Sequence, residues 1–358
     1  MNAPVVIARD ELRLADLADA NEAARLEGFV AEHAEGTVFQ RPVWLQAVAA
    51  GTGNPALALV CERRGELRAF LPLSEVHSPV FGRLLASTGF AVGGGVLAHD
   101  DDAARAVILA AEELAQRRSC PTIELRGGAM PEDRAGWHVQ AQSHCGFAWD
   151  LAEDDEAQLL AIPRKQRAEV RKGLKTDLTI DVGSAREDRD AHYAVYAESV
   201  RNLGTPVFPR SLFEAVLDRF GDNADILTVR HQGEPVASVL SLYHGGAVMP
   251  YWGGGTWDAR RLRANDRMYY ELMLHARQRG CTSFDFGRSK TESGAYFFKK
   301  NWGFEPDPLT YASWTAPGAQ ERDANPNSAK HALQVAVWQR LPLGLANRLG
   351  PPIARGLG

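Results

Sequence analysis

Cysteine is scarce: the 358 residues hold four, Cys61, Cys120, Cys145 and Cys281, with no CxxC pair and no Cys/His cluster at zinc spacing. No metal site is expected, and free, mostly buried thiols suit a reducing cytoplasm. No run of about 18 uninterrupted apolar residues is available to span a bilayer. The opening MNAPVVIARDEL lacks the basic n-region and long apolar core of a signal peptide. Positive charge is not in surplus: 40 Lys and Arg face 45 Asp and Glu, a net charge of −5. Anion binding must therefore come from local patches. A G-x-S-x-G elbow and a Cys–His pair are also missing, which argues against covalent catalysis by a side-chain nucleophile.

Apolar residues make up 45% of the chain and charged residues 24%. That is ample for packed cores, and two domains of roughly 150 residues are the default expectation at this length. One pattern is written twice. Two strand-like runs flank a polar turn at Ala56–Val60 and Leu67–Leu73, and again at Ile226–Val229 and Val236–Tyr243. In the first copy Gly93–Gly95 is followed by a helix-like run from Asp102 to Arg118, then Cys120 and the strand-like Thr122–Leu125. In the second copy Gly253–Gly255 precedes the helix-like Asn265 to Arg279, then Cys281 and Thr282–Phe286. Gly95 to Gly255 is 160 positions, and Cys120 to Cys281 and Glu124 to Asp285 are each 161. A period this long predicts duplicated domains rather than a solenoid.

Early helices are expected near Asn21–His33 and Pro42–Ala50, and the acidic Glu153–Glu156 reads as a boundary. The expected division is 1–155, then 156–316, then a linker and amphipathic tail over 317–358. The basic run IPRKQRAEVRKGLK places Arg164, Lys165, Arg167, Arg171, Lys172 and Lys175 against Glu169 alone. Its Pro163 suits a first helical turn. A strand over Leu178–Val182 and helices near Asp188–Asn202 and Arg210–Phe220 follow. Gln320–Ser328 reads as a linker. The tail after it is expected to hold one helix and a proline-broken end. Leu333, Val337, Trp338, Leu341, Leu345 and Leu349, with Arg340 and Arg348, form an apolar face with basic flanks that docks on the protein or lies at a membrane surface.

The most informative stretch is 284–305, FDFGRSKTESGAYFFKKNWGFE. It sets Asp285 at the end of an apolar run beside Gly287. A loop carrying Arg288, Ser289 and Lys290 follows, then an aromatic turn ending in Lys299–Lys300. Sites in open α/β sheets lie at the carboxyl ends of strands.

The Asp-Phe-Gly strand and the stretch Gly294 to Gly303 resemble the Fem-type peptidoglycan aminoacyltransferases. RKQRAEVRKG, YWGGG, ARRLRANDRMYYELM and DFGRSK…FKKNWGFEP look like the Fem-like proteins of exosortase and exopolysaccharide loci. The element order is that of an acyltransferase domain of the GNAT type, here twice. The resemblance implies an α/β (α+β) fold of tandem duplicated GNAT-type domains, each a mixed, mostly antiparallel twisted sheet flanked by helices. It implies an enzyme that moves an aminoacyl or acyl group from aminoacyl-tRNA or acyl-CoA to an amine of a cell-envelope or exopolysaccharide precursor. The acceptor would be a small or lipid-linked molecule, no cofactor would be tightly bound, and tRNA would be a partner. The place of action would be the cytoplasm, with peripheral contact at the inner membrane if the tail meets lipid. Two rival readings are a plain acyl-CoA N-acetyltransferase and a non-catalytic anion- or RNA-binding module.

Aminolysis of an activated acyl group requires alignment, removal of a proton from the amine, and donors for the developing oxyanion. Asp285 is the first candidate for holding or deprotonating the amine; the alternative is an acid capping its own loop. Lys299 and Lys300 are candidates for stabilising negative charge. On a helix they point about 100° apart, so at most one faces the site, and Lys300 is preferred. Tyr296 either donates a proton or packs. Tyr251, Trp252, Gly253 and Gly254 lie where backbone can approach an acyl group, or where a bulge sits. Arg260, Arg261, Arg263 and Asn265 occupy the place of a GNAT pyrophosphate loop, beside a helix N-terminus. The glycine-rich signature of that loop is missing, which shifts weight from coenzyme A toward aminoacyl-tRNA. Arg288, Ser289 and Lys290, with the basic helix at 164–175, complete the candidate donor and substrate contacts. In the first copy Leu125–Arg126–Gly127–Gly128 replaces the Asp-Phe-Gly end and no dilysine turn follows, so that domain is expected to bind substrate or to be structural.

Overall fold

Hairpins and capped amphipathic helices build both halves of the chain, as the computed structural model of residues 10–79, 81–131, 134–320 and 329–358 shows. It divides into two units by contact. One consists of the described residues of Met1–Gln140, Thr310–Ala324 and Arg355–Gly358; the other consists of those of Ala141–Leu309 and Asn325–Ala354.

The first unit begins with β1 (Glu11–Leu14), α1 (Ala20–Glu32) and α2 (Pro42–Thr52). The hairpin β2 (Ala56–Arg63) and β3 (Glu66–Ser78) follows, then β4 (Gly82–Ser87), β5 (Leu97–Ala98), α3 (Asp101–Arg117) and β6 (Thr122–Arg126). Asp100 caps α3 by accepting from the Ala103 amide, and Asp101 and Asp102 in the first turn favour the positive helix end. The apolar stripe of α3, Val107, Ile108 and Ala111, is buried with Leu59, Leu71 and Leu73. Leu26 and Val30 of α1 and Leu45 of α2 are buried with Val60 and Phe70. The strands run β1-β2-β3-β4-β6, and β4 and β6 are parallel.

The second unit takes the end of β7 (Trp137–Gly146) and then β8 (Ala148–Asp150), α4 (Asp155–Ala161) and α5 (Arg164–Lys175). After β9 (Thr179–Gly183), α6 (Arg186–Leu203) and α7 (Arg210–Phe220) comes the hairpin of β10 (Ala224–His231) and β11 (Glu234–His244). Then come β12 (Ala247–Gly255), α8 (Ala259–Leu262), α9 (Ala264–Gln278), β13 (Ser283–Asp285), β14 (Ser289–Lys290) and α10 (Gly294–Asn301). Its six-stranded sheet has the order β8-β13-β12-β11-β10-β9, and only β12 and β13 pair in parallel. Met268, Leu272 and Met273 of α9 share a core with Leu227, Val229 and Val239 of the hairpin. Both units are mixed, mostly antiparallel sheets with helices, so the duplication read from the 161-residue offset is a duplication of fold.

Two strands depart from the linear division. β8, expected before the boundary at 155, pairs with β13 at the heart of the second sheet, Trp149 opposite Phe284. β15 (Asp307–Thr315), expected in the second domain, pairs with β6, Tyr311 opposite Arg126. Each sheet thus borrows a strand from sequence assigned to the other half, and strand pairing is blind to sequence distance. Gly93–Gly95 lies in a loop beyond β4, whereas Gly253–Gly255 ends β12, so the glycines are not equivalent. The tail holds two helices, α11 (Ala329–Gln339) and α12 (Leu343–Arg355), and Pro351–Pro352 lie inside α12 without ending it. Of the expected linker, 321–328 lies outside the described residues.

Candidate active site

Three groups of residues in the second unit make up the candidate site. The first is the end of β13. Phe284 and Phe286 are buried and Asp285 between them is half-buried. The chain then turns at Gly287, whose φ of +69 leaves side-chain-bearing residues strained. Asp285 Oδ1 accepts the Gly287 amide at 2.8 Å, so the carboxylate does cap its own turn. Its Oδ2 takes no hydrogen bond among the described residues. Burial pushes the Asp285 carboxyl above the ordinary range, opposed by the Gly287 amide and the nearby Lys299 charge. One committed oxygen, one uncommitted oxygen and a raised affinity for protons suit a base held in fixed orientation.

Beyond the turn, Ser289 and Lys290 form β14, opposite Cys145 and His144 of β7, where a loop was expected. Ser289 is buried and Lys290 exposed. Ser293 caps α10 by accepting the Tyr296 amide at 3.2 Å. Trp302 and Phe304 are fully buried and anchor the end of this helix. That anchoring decides between the lysines. Lys299 is buried and donates to Gly287 O at 3.0 Å and Arg288 O at 2.9 Å. Its Nζ lies 5.3 Å from the Phe147 ring centroid and 5.4 Å from that of Phe286. Lys300 is exposed, its Nζ 5.8 Å from the Tyr296 ring. The inward lysine is thus Lys299, against the preference for Lys300, because the aromatic anchors rotate that position into the core. Burial, chiefly, lowers the Lys299 amine to about 8. Such a change disfavours the charged form by roughly 3 kcal/mol. Trp302 and Phe304, at roughly 2–3 kcal/mol each, offset it. Tyr296 packs edge-on against Phe147 at 5.6 Å.

The second group lies on β12. Its register against β11 shifts so that Trp252 faces Leu240 and Pro250 faces Ser241, leaving Tyr251 as the extra residue of a bulge. Parallel pairing with β13 covers only Ala247–Ser283 and Val248–Phe284. β12 continues to Gly255 while β13 stops at Asp285, so the two strands part on the side where Asp285 stands. The glycines are explained by close helix packing. A Cβ on Gly254 would sit 2.2 Å from Ser199 Oγ, and one on Gly255 2.6 Å from Asn265 Oδ1. The Asn265 Oδ1 is buried without a partner. On the other side of the hairpin, His192 bonds Ser238 Oγ through Nδ1 at 3.0 Å, and burial lowers it to about 3. It is a neutral core residue and no rival base.

The third group is α5 with the start of α9. Arg263 has a left-handed φ of 57 between α8 and α9, and α8 replaces the basic loop expected there. A Cβ on Gly173 would lie 2.9 Å from Arg263 O, so the basic helix crosses the N-terminus of α9 at van der Waals distance. Gln166 Nε2 donates to Asp266 Oδ1 at 2.6 Å, and Arg263 pairs with Glu169 at 2.8 Å. Arg164, Arg167, Arg171, Lys172 and Lys175 share one side of α5 and line a concave surface of about 430 Å³. Lys165, Arg260 and Arg261 are exposed, the last 3.4 Å from Asp258. The α9 axis joins the groups: Asn265 meets Gly255, and Tyr269, one turn on, meets Phe286 at 4.6 Å. Sequence reasoning missed Phe147, whose ring flanks Lys299, and Glu169, which ties Arg263 and Lys172 to one carboxylate. No motif marks either one.

Residues 164–300, which span all three groups, match the family model of the acetyltransferase (GNAT) domain. Among curated proteins, a lipid II:glycine glycyltransferase of Staphylococcus haemolyticus is 28% identical over 94 residues, 24% of this chain and 22% of that protein. The matched stretch therefore spans less than a quarter of that relative's length. The crystal structure of FemX shares the fold at a TM-score of 0.62 and 17% identity, over 80% of this chain and 95% of that one. A tandem GNAT protein from the clavulanic acid biosynthesis pathway shares it at 0.56 and 13%, over 87% of this chain and 100% of that one. Family model, glycyltransferase stretch and doubled fold agree: residues 164–300 carry an acetyltransferase (GNAT) domain, and the chain is similar in fold to FemX and to a tandem GNAT protein.

Proposed function

We propose that the second unit is an N-acyltransferase that moves an aminoacyl or acyl group onto an amine of a cell-envelope or exopolysaccharide precursor by direct aminolysis. The observation that carries this reading is Asp285. It is half-buried, oriented through Oδ1, uncommitted at Oδ2 and raised in proton affinity, at the point where β12 and β13 part. The amine attacks the acyl carbonyl carbon, a C–N bond forms, and Asp285 Oδ2 takes the proton. The tetrahedral centre collapses, the C–O or C–S bond to the donor breaks, and the proton passes to the leaving oxygen or sulfur. Lys299, cationic below about pH 8, supplies positive charge beside the developing oxyanion and pins the Gly287–Arg288 carbonyls.

The donor is an aminoacyl-tRNA or an acyl-CoA, and both are rich in phosphate. The cationic side of α5 and the exposed Arg260 suit either, and the missing glycine signature favours tRNA. The acceptor, by analogy with the curated relative's name, is lipid-linked or a small precursor of one. The setting is cytoplasmic, consistent with four free, buried cysteines. The first unit is a structural or substrate-binding partner of the catalytic one. The test is transfer in a reconstituted assay with Asp285→Asn and Lys299→Ala, with calorimetry of acetyl-CoA against charged tRNA to assign the donor. Full turnover by both variants would sink the mechanism.

A further inference from the structure

The described residues of the C-terminal segment divide their side chains in an unusual way. From Ala329 to Gly358 the sequence contains no Asp or Glu, but it contains Lys330, Arg340, Arg348 and Arg355, in a chain whose net charge is −5. α12 docks through small residues. Ala346, Gly350 and Ala354, at i, i+4 and i+8, are buried, and a Cβ on Gly350 would sit 2.9 Å from Val207 N. α11 lies against the end of α6: a Cβ on Gly204 would be 2.4 Å from Val335 Cγ1, and Arg201 donates to Gln339 O at 3.2 Å. Several large aliphatic side chains are left outside. Leu345 is 44% exposed, Leu349 43%, Val337 54% and Leu203, beside Gly204, 70%. Arg340 and Arg348 are exposed among them. A helix normally buries its leucines and leaves its small residues free to vary. Here Ala346, Gly350 and Ala354 are buried while Leu345 and Leu349 stay largely outside.

We propose that this α11–α12 surface, with Leu203, is a peripheral docking site for an anionic lipid bilayer. Aliphatic side chains interleaved with arginines, with no acid within thirty residues, match an interface that accepts hydrocarbon and negative head groups together. A second copy of the chain would bring the same positive charge against itself. No described helix is long and apolar enough to cross a membrane, so the contact is shallow and in-plane. The inference does not depend on the transfer chemistry.

Co-sedimentation of the full chain with vesicles of phosphatidylcholine, with and without phosphatidylglycerol, tests it. The chain should partition onto the phosphatidylglycerol vesicles, less so at high salt, and weakly onto phosphatidylcholine alone. Leu345→Glu with Leu349→Glu, and separately Arg340→Gln with Arg348→Gln, should each lower partition about tenfold. Melting should change little, because Leu345 and Leu349 are 44% and 43% exposed and Arg340 and Arg348 are exposed. If the leucine pair perturbs folding, the arginine pair still reports. Absence of partition, or variants that bind like the wild type, would overturn the proposal. So would a concentration-dependent dimer that the leucine pair abolishes without any vesicle binding, since that outcome assigns the face to self-association.

Discussion

At the same place in the two sheets, the ends of β6 and β13, the chain does opposite things. In the first unit Arg126 is buried, and its guanidinium donates to Thr88 O at 3.0 Å, Ala91 O at 2.9 Å and Glu124 at 2.9 Å. A Cβ on Gly95 would lie 1.6 Å from Gly127 O, and one on Gly128 2.3 Å from Val96 O. The guanidinium thus ties the end of β6 to neighbouring main chain and to Glu124, and a Cβ on Gly127 would meet nothing within 4 Å. In the second unit a Cβ on Gly287 would meet nothing within 4 Å, and Asp285 keeps one oxygen uncommitted. Duplication supplied two frames: the acid of the first, Glu124, is paired with Arg126, whereas Asp285 in the second keeps one oxygen uncommitted.

The sharpest way to break this contrast is Asp285→Asn. The amide still accepts the Gly287 N–H, so the turn and the melting temperature should hold, while the transfer rate should fall about 10²- to 10⁴-fold. Next in size is the lysine pair. Lys299→Ala removes the donor to two carbonyls and should cost about 2 kcal/mol of stability and about 10²-fold in rate. Lys300→Ala should stay within about 0.5 kcal/mol, read by denaturant titration beside the kinetics. The two alanine variants behaving alike would remove the case for an inward Lys299.

Arg126→Met probes the other side of the contrast. Losing the guanidinium orphans buried carbonyls and should cost about 2–3 kcal/mol, with the turnover of the folded fraction unchanged. A loss of turnover at full stability would show that the first unit takes part in chemistry. A pH profile sharpens the comparison further. Lys299 is protonated below about 8 and neutral above it, so transfer should fall as pH rises through about 8. The limb should move upward in Lys299→Arg, because guanidinium stays charged. Smallest of all, Arg167→Gln with Arg171→Gln should raise the KM for the phosphate-bearing donor about tenfold and flatten its salt dependence.

Much of this architecture is legible in the amino-acid sequence. The hairpins, the 161-residue offset, α5, α7 and the Asp-Phe-Gly strand end follow from periodicity, charge runs and glycine placement, all of which act locally. The inward position of Lys299 is not legible there. Neighbours on a helix differ only in which way the helix is rolled; Phe304 decides that through Trp149 of β8 and Phe284 of β13, and Trp302 through Tyr269 of α9 and Phe286. The glycines of β12 are ambiguous in sequence for a similar reason: Ser199 and Asn265, the atoms that exclude a Cβ, belong to other helices.

Composition and pattern along the chain were enough to establish a doubled α/β frame, an acid at a strand end and a cationic helix, because such features depend on a residue and its near neighbours. The exchange of β8 and β15 between sheets, the inward turn of Lys299 and the pairing of Arg126 with Thr88, Ala91 and Glu124 had to await folding. Each depends on which distant segments come to share a strand edge or a core, and the energy of such contacts exists only once the chain has brought them together.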